Sequence, residues 1–314
     1  MNELFVNLKR FEVSKRLGGL CPQEDPSAWV EAVIGRAAEL GLGALPDSNL
    51  TFMLPEGLVT AAVRARAAQP MERIAGLAIG CQGVHWEDLA PGKNFGAFTT
   101  RQPATAARHL GATWAIIGHS EERKAHQQVM SAFEPGIGAD EVLRQKAARA
   151  VDSLVNAETL AALKAGLHVL LCVGETAGER GEGTFEDQQP RIERTLAAQV
   201  TAGLAGVPEV LGDRRLVIGY EPIWAIGPGK VPPGKDYIAF VSVFIQNTAR
   251  QTCGLDVKVV YGGGLKEENA AMIASIPTIG GGLVGLTRFS GEIGFHVDEL
   301  AAIVARYRQA GEAA

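Results

Sequence analysis

The stretch Leu216-Val217-Ile218-Gly219-Tyr220-Glu221-Pro222-Ile223-Trp224-Ala225-Ile226-Gly227-Pro228-Gly229-Lys230 decides how the chain is read. Leu216-Val217-Ile218 is a short apolar run, the signature of a strand buried on both faces. It leads to a carboxylate, Glu221, and then to a loop that is apolar where loops are ordinarily polar. Low dielectric at a buried strand end disfavours the charged form of a carboxylate, the environment required of a general base working near neutral pH. Glycines at the far end of the loop and large apolar residues in its middle suit a lid that hinges over a site and expels water.

Seven further strands repeat the pattern. Leu4–Lys9, Leu50–Leu54, Ile74–Ile79, Trp114–Ile117, Val169–Val173, Val257–Tyr261 and a glycine-rich run ending near Leu283-Val284 are short apolar segments. The segments between most of them have helical spacing: Ala28–Leu40, Gly57–Gln69, Pro103–Leu110, Ala157–Lys164, Phe185–Leu204, Tyr237–Thr252, Lys266–Ser275 and Val297–Arg308. Strands alternating with helices predict parallel βαβ units, and eight of them favour closure into a barrel over an open sheet. The expected organisation is a single domain over 1–314. The polar segment Lys124–Leu154, with its Pro135-Gly136 breaker and a helix over Asp140–Ala150, reads as a surface insertion after strand four. The long connection Cys81–Arg101 is of a length that is uncommon unless functional.

Composition narrows the class. The 314 residues are 46% hydrophobic and 21% charged with a net charge of −5, ordinary for a globular protein and unfavourable for nucleic acid or anionic membrane as partners. Cys21, Cys81, Cys172 and Cys253 are scattered without a CxxC pair, so reduced thiols are expected, not a disulfide or metal framework. Neither a signal-peptide pattern nor a membrane-length apolar run is present, and a cytoplasmic location is expected. No cofactor and no metal are expected.

In a barrel of this kind, chemistry gathers where strands end and βα loops begin. Asn7 and Lys9, two apart on strand one, point to the same side. With His119 after strand four and Glu221 after strand six, they bring a cation, an imidazole and a carboxylate to one rim. That set suits removal of a proton beside a carbonyl, with the developing enediolate held by Lys9 and His119.

The motifs Gly118-His119-Ser120-Glu121, Leu171-Cys172-Val173-Gly174-Glu175, Tyr220-Glu221-Pro222-Ile223-Trp224-Ala225-Ile226-Gly227 and Tyr261-Gly262-Gly263, in the order Asn-x-Lys, His, Glu, resemble the triosephosphate isomerase family. The resemblance covers nearly the whole chain outside Lys124–Leu154. It implies a (β/α)8 TIM barrel and an aldose–ketose isomerase of glycolysis and gluconeogenesis acting on a small phosphorylated sugar. By resemblance, Glu221 is the proton-shuttling base, His119 a neutral electrophile, Lys9 a positive charge, Asn7 an orienting group and Glu121 a support. Gly227, Gly263, Gly264, Gly285 and Leu286 would present backbone N–H groups to the phosphate, a role glycine turns suit because they let the backbone approach an anion closely. A homodimer is also implied, with the long third loop reaching the neighbour's site.

Several positions depart from the family pattern. Gly264 replaces a Ser, Gly285-Leu286 replaces Gly-Gly, and Arg288, a candidate phosphate contact, replaces a small residue. Gly83 lies near a usual Asn, and Pro228 divides the lid glycines, where it is expected to stiffen the lid. Thr99 is followed by Thr100-Arg101 instead of Gly-Glu, and Glu122 stands where an Arg is usual. The expectation is that Arg101 and Glu122 have exchanged charges across the dimer contact. Two alternatives accompany the leading reading: an isomerase of a four-carbon ketose phosphate such as an erythrulose phosphate, and a barrel that binds sugar phosphate without turning it over. Gly280–Gly285 also fits the dinucleotide fingerprint G-x-G-x-x-G, but no further βαβ unit follows it, so a phosphate cradle is favoured.

Overall fold

A computed structural model describes residues 1–227 and 229–312. Pro228, and with it the expected stiffening of the lid, lies outside the described residues. Eight strands form a closed barrel in sequence order, every neighbouring pair parallel: β1 Asn2–Asn7, β2 Ser48–Leu54, β3 Leu77–Cys81, β4 Trp114–Ile117, β5 His168–Val173, β6 Leu216–Tyr220, β7 Lys258–Tyr261 and β8 Ile279–Val284. The main helices are α1 Pro26–Glu39, α2 Glu56–Ala67, α3 Ala104–His109, α4 Ser120–Phe133, α5 Glu141–Lys164, α6 Phe185–Gly203, α7 Lys235–Cys253, α8 Glu267–Ala274 and α9 Val297–Glu312.

The strict two-residue alternation of a strand divides the apolar residues into two layers. Phe5, Met53, Trp114, Ile116, Leu170, Cys172, Val217, Val260 and Leu283 fill the barrel interior. Their strand neighbours, such as Leu4, Val6, Ile117, Val169, Leu171 and Ile218, face the helices in a larger core. The edge of Phe5 meets the Trp114 ring at a centroid distance of 5.1 Å inside the barrel. The lower end is closed by a polar cluster: Glu3, 3% exposed, accepts from Arg215 at 2.6 Å and from Asn49 at 3.1 Å.

The glycine run resolves as a strand. Gly280–Val284 lies within β8 and no helix begins at it, so the dinucleotide reading loses its structural context. Gly281 has φ +144°, and a side chain there would strike the Glu3 carbonyl oxygen at 1.9 Å. These glycines serve close strand packing.

Three boundaries differ from the sequence reading. Ile74 closes a helical turn, Met71–Ile74, so β3 starts only at Leu77. Residues 120–133 form a 14-residue helix although none of its residues is buried. Within the segment 124–154, expected as a surface insertion, the helix boundary differs: α5 runs unbroken from Glu141 to Lys164, absorbing both expected helices. No Gly or Pro interrupts it. From Val151 onward it buries Val151, Val155, Ala161, Ala162 and Leu163 as an ordinary barrel helix. What projects beyond the barrel is α4, a 3-10 turn at Pro135–Gly138 and the first half of α5.

Candidate active site

The ends of β1, β4 and β6 bring the expected residues together at one rim. Asn7 ends β1 and shares the inward side with Phe5; it is 6% exposed. Its Oδ1 accepts from the Lys9 backbone N–H at 3.2 Å, turning the chain so that Lys9 projects over the rim. Lys9 Nζ meets Glu121 Oε1 at 2.5 Å. Burial pushes the Glu121 carboxyl up, but Lys9, His119 and Lys124 outweigh it and hold the group below its usual range.

His119 is the N-cap of α4, and its Nδ1 accepts the Glu121 backbone N–H at 3.3 Å. A ring nitrogen that accepts carries no proton, so the hydrogen-bond network assigns the imidazole proton to Nε2. Nε2 stands 3.2 Å from Glu221 Oε1. Glu221, 2% exposed, is held at the N-terminus of α4: Oε2 accepts from Ser120 N at 2.9 Å and Oε1 from Ser120 Oγ at 3.1 Å. A carboxylate there meets the positive end of the helix dipole. Room for it comes from the flanking strand ends, which lack side chains. A Cβ on Gly174 would sit 1.8 Å from the Glu221 carbonyl oxygen, and one on Gly262 2.9 Å from Glu221 Cγ.

Residues that the sequence reading did not single out complete the frame. Gln82, just past β3, donates through Nε2 to Asn7 Oδ1 and to the Lys9 carbonyl, both at 2.9 Å. Glu175, fully buried, gathers three donors on Oε1: Tyr220 Oη at 2.9 Å, Trp224 Nε1 at 2.7 Å and Tyr237 Oη at 2.8 Å. Burial pushes the Glu175 carboxyl up despite these donors. The bond to Trp224 fixes the start of the loop after Glu221, and the Arg180 guanidinium covers the Trp224 ring at 3.9 Å. Farther along the loop, Ile226 and Val231 are 39% and 78% exposed.

Arg123 braces the strand ends below His119. It donates to the carbonyls of Gly118 at 2.8 Å and Cys172 at 3.2 Å, and to Asp152 Oδ1 at 2.7 Å. Both side chains of the pair are about one-tenth exposed. Removing one member of a buried pair leaves the other charge uncompensated. Asp152→Ala is therefore expected to lower unfolding stability by about 3–5 kcal/mol; a denaturant midpoint unchanged from wild type would contradict this.

The remaining sequence candidates divide. Gly264, with φ +91°, Gly285 and Gly227 all border open space, where an added Cβ would meet nothing within 4 Å. Gly263 lies beside Gly264 after β7, and Leu286 is partly buried against the core. Arg288 does not extend to this cradle. Its Nε donates to Glu299 Oε1 of α9 at 2.8 Å, and a second guanidinium N–H meets the same oxygen. The backbone turns it there, because the N–H groups of Thr287 and Arg288 both donate to the Gly294 carbonyl and fold that loop on itself. Thr99 and Arg101 are exposed in the loop after β3, and Phe95 in that loop is 89% exposed with φ +48°. Glu122 is not an outward-facing charge. Its Oε2 accepts the Gly118 N–H at 2.6 Å, and burial with the nearby Glu158 carboxylate pushes it up to about 8.

Comparison with known proteins agrees with the geometry. A family model described as triosephosphate isomerase matches residues 57–297. The chain is 33% identical over 249 residues to the triosephosphate isomerase of Oleidesulfovibrio alaskensis, covering 78% of this chain and 83% of that protein. It is 37% identical over 250 residues to that of Ruegeria sp., covering 78% and 82%. The crystal structure of triosephosphate isomerase from Bartonella henselae superposes over 98% of this chain and 99% of its own, with a TM-score of 0.65 and 22% identity, a likeness of fold.

Proposed function

Because this chain belongs to the triosephosphate isomerase family, we propose that it interconverts glyceraldehyde 3-phosphate and dihydroxyacetone phosphate by proton transfer through an enediolate. The observation that carries the reading is the approach of His119 Nε2 to Glu221 Oε1 at 3.2 Å on the barrel rim, with the Lys9 ammonium on the neighbouring β1 loop. Glu221 takes the proton from the carbon beside the carbonyl. His119 donates its Nε2–H to the carbonyl oxygen, and Lys9 balances the charge that grows there. The same carboxylate returns the proton to the adjacent carbon, while the hydroxyl proton passes between the two enediolate oxygens beside His119. Asn7 and Glu121 are positioning groups, reading from their bonds to Lys9.

Glu221 rests on Ser120, a geometry that occupies both carboxylate oxygens. Reaching a substrate carbon requires it to leave that cap, and closure of the loop beginning at Trp224 supplies the motion. The phosphate binds the backbone amides around Gly227, Gly263, Gly264, Gly285 and Leu286. The test is a coupled isomerase assay with glyceraldehyde 3-phosphate and, in parallel, an erythrulose phosphate. Turnover of the triose is expected; turnover of the tetrulose alone would replace this reading. Arg288→Ala is expected to change kcat/KM by less than about threefold, since its partner is Glu299 and surface changes of this kind stay within about 0.5 kcal/mol. A loss of tenfold or more would return Arg288 to the phosphate site.

The exposed loop holding Phe95, Thr99 and Arg101 supports a homodimer in which it docks on the second copy. Arg101→Glu is expected to weaken association at least several-fold in sedimentation velocity, and unchanged association would argue against it. Adding Glu122→Arg is not expected to restore pairing, because the carboxylate it replaces is engaged with Gly118. No helix among the described residues is long and apolar enough to cross a membrane.

A further inference from the structure

Helix α4 packs against α5 with a polar face where a surface helix ordinarily offers an apolar stripe. Glu122 and His126 are four residues apart, one turn, and so share that face. Glu158 of α5 meets them, and one oxygen from each carboxylate and one imidazole nitrogen lie within 4.8 Å of one another. Their bonding is incomplete. Glu158 is 3% exposed, yet its Oε2 has no hydrogen-bond partner, and neither does the buried Nε2 of His126. His126 Nε2 stands 3.8 Å from Glu158 Oε1, near enough for the carboxylate to push the imidazole up but too far for a well-formed hydrogen bond. A buried carboxylate oxygen left without a partner is costly, and such exceptions call for a missing one.

We propose that Glu122, His126 and Glu158 form a binding site for a divalent transition-metal cation of the Zn2+ class. Two carboxyl groups match the double charge once Glu122 gives up its proton to the ion, and the imidazole supplies a nitrogen ligand. One imidazole with two carboxylates and no thiolate suits Zn2+, Co2+ or Mn2+ better than Mg2+, Ca2+ or Cu(I). Glu122 Oε2 is engaged by the Gly118 N–H, which orients the carboxylate and leaves Oε1 for the metal. Oε1 lies 3.6 Å from the point where a Gly83 side chain would begin, so the loop after β3 closes one side of the site. The Trp86 and His126 rings meet edge to face at 6.5 Å between centroids. Ligand bonds of about 2.0–2.2 Å draw ligand atoms to roughly 3.5 Å apart, a contraction of about 1 Å that glutamate rotamers can supply.

A guanidinium is the rival cation, and Arg101 lies nearby, 5.6 Å over the Trp86 ring. An imidazole facing both carboxylates favours the metal, because it can ligate an ion but brings no acceptor geometry suited to a guanidinium fork. The bound ion would pin α4 to α5. Through Glu122 and Gly118 it would also hold the residue preceding His119, making the site structural and separate from the reaction.

The test uses the full chain, stripped with a chelator and dialysed against Co2+ or Zn2+. About one equivalent should remain per chain, Co2+ should show the visible d–d absorption of a low-symmetry nitrogen–oxygen site, and Zn2+ at a hundredfold excess over Kd should raise Tm by about 4 °C. Glu158→Gln and His126→Asn should each weaken binding at least tenfold while circular dichroism shows them folded. Cys253→Ser, which removes a partly exposed thiol, and Arg101→Ala should bind as wild type does. Absence of binding in wild type, or equal binding in Glu158→Gln, would overturn the proposal. So would loss of binding in Cys253→Ser.

Discussion

Shortening Glu221 by one methylene, in Glu221→Asp, is expected to lower kcat by about 10²-fold while leaving the fold and the apparent affinity for substrate nearly unchanged. The carboxylate would retreat from the rim by about 1 Å, and a misplacement of that size costs about two orders of magnitude in an oriented proton transfer. The surroundings predict little structural response. Gly174 and Gly262 flank Glu221 without side chains, so no neighbour collapses onto the shorter residue. The Ser120 cap acts on whichever oxygens reach it, so part of that anchorage survives. Circular dichroism and a denaturant midpoint separate the kinetic effect from unfolding. Unchanged kcat in a folded variant would remove Glu221 from the reaction.

The second large effect is expected at His119. His119→Gln should lower kcat by about 10²–10³-fold, the usual loss when one donor to a developing oxyanion is removed. The imidazole is held in a single tautomer, since Nδ1 accepts the Glu121 N–H and Nε2 carries the proton towards the site. A glutamine amide retains a donor but not this anchorage, so its N–H is not held at the same point. KM should move much less than kcat, because the interaction strengthens in the transition state and not in the ground state. A variant with raised KM and unaltered kcat would make His119 a substrate-binding group only.

The barrel was legible because parallel strands are buried on both faces and read as short apolar runs. Asn7, Lys9, His119 and Glu221 could be read because each sits at or just past a strand end, where a polar residue breaks an apolar run. Other parts depended on contacts across large separations. Gln82 acts on a residue 75 positions earlier, and Glu175 is met by Tyr237 62 positions later. Each also lies just past a strand end, but only these distant partners give it its place in the site. Helix α4 escaped periodicity analysis because its inner face is built from Glu122, Arg123 and His126, with no buried apolar residue to set a period. The same polar face underlies the reversal at Glu122, whose sequence position indicated an interface charge and whose carboxylate turns inward to Gly118. Arg288 looked like a phosphate ligand until its loop folded back at Gly294 and handed it to Glu299.

The most direct measurement of the central claim is deuterium incorporation. Triose phosphate would be incubated with the protein in heavy water and followed by proton NMR, for wild type and for Glu221→Gln. A base that takes a proton, exchanges it with solvent and returns a deuteron labels the carbon beside the carbonyl. Wild type is expected to produce that label together with the isomer, and Glu221→Gln neither. Label or isomer formed equally by folded Glu221→Gln would contradict proton transfer through Glu221.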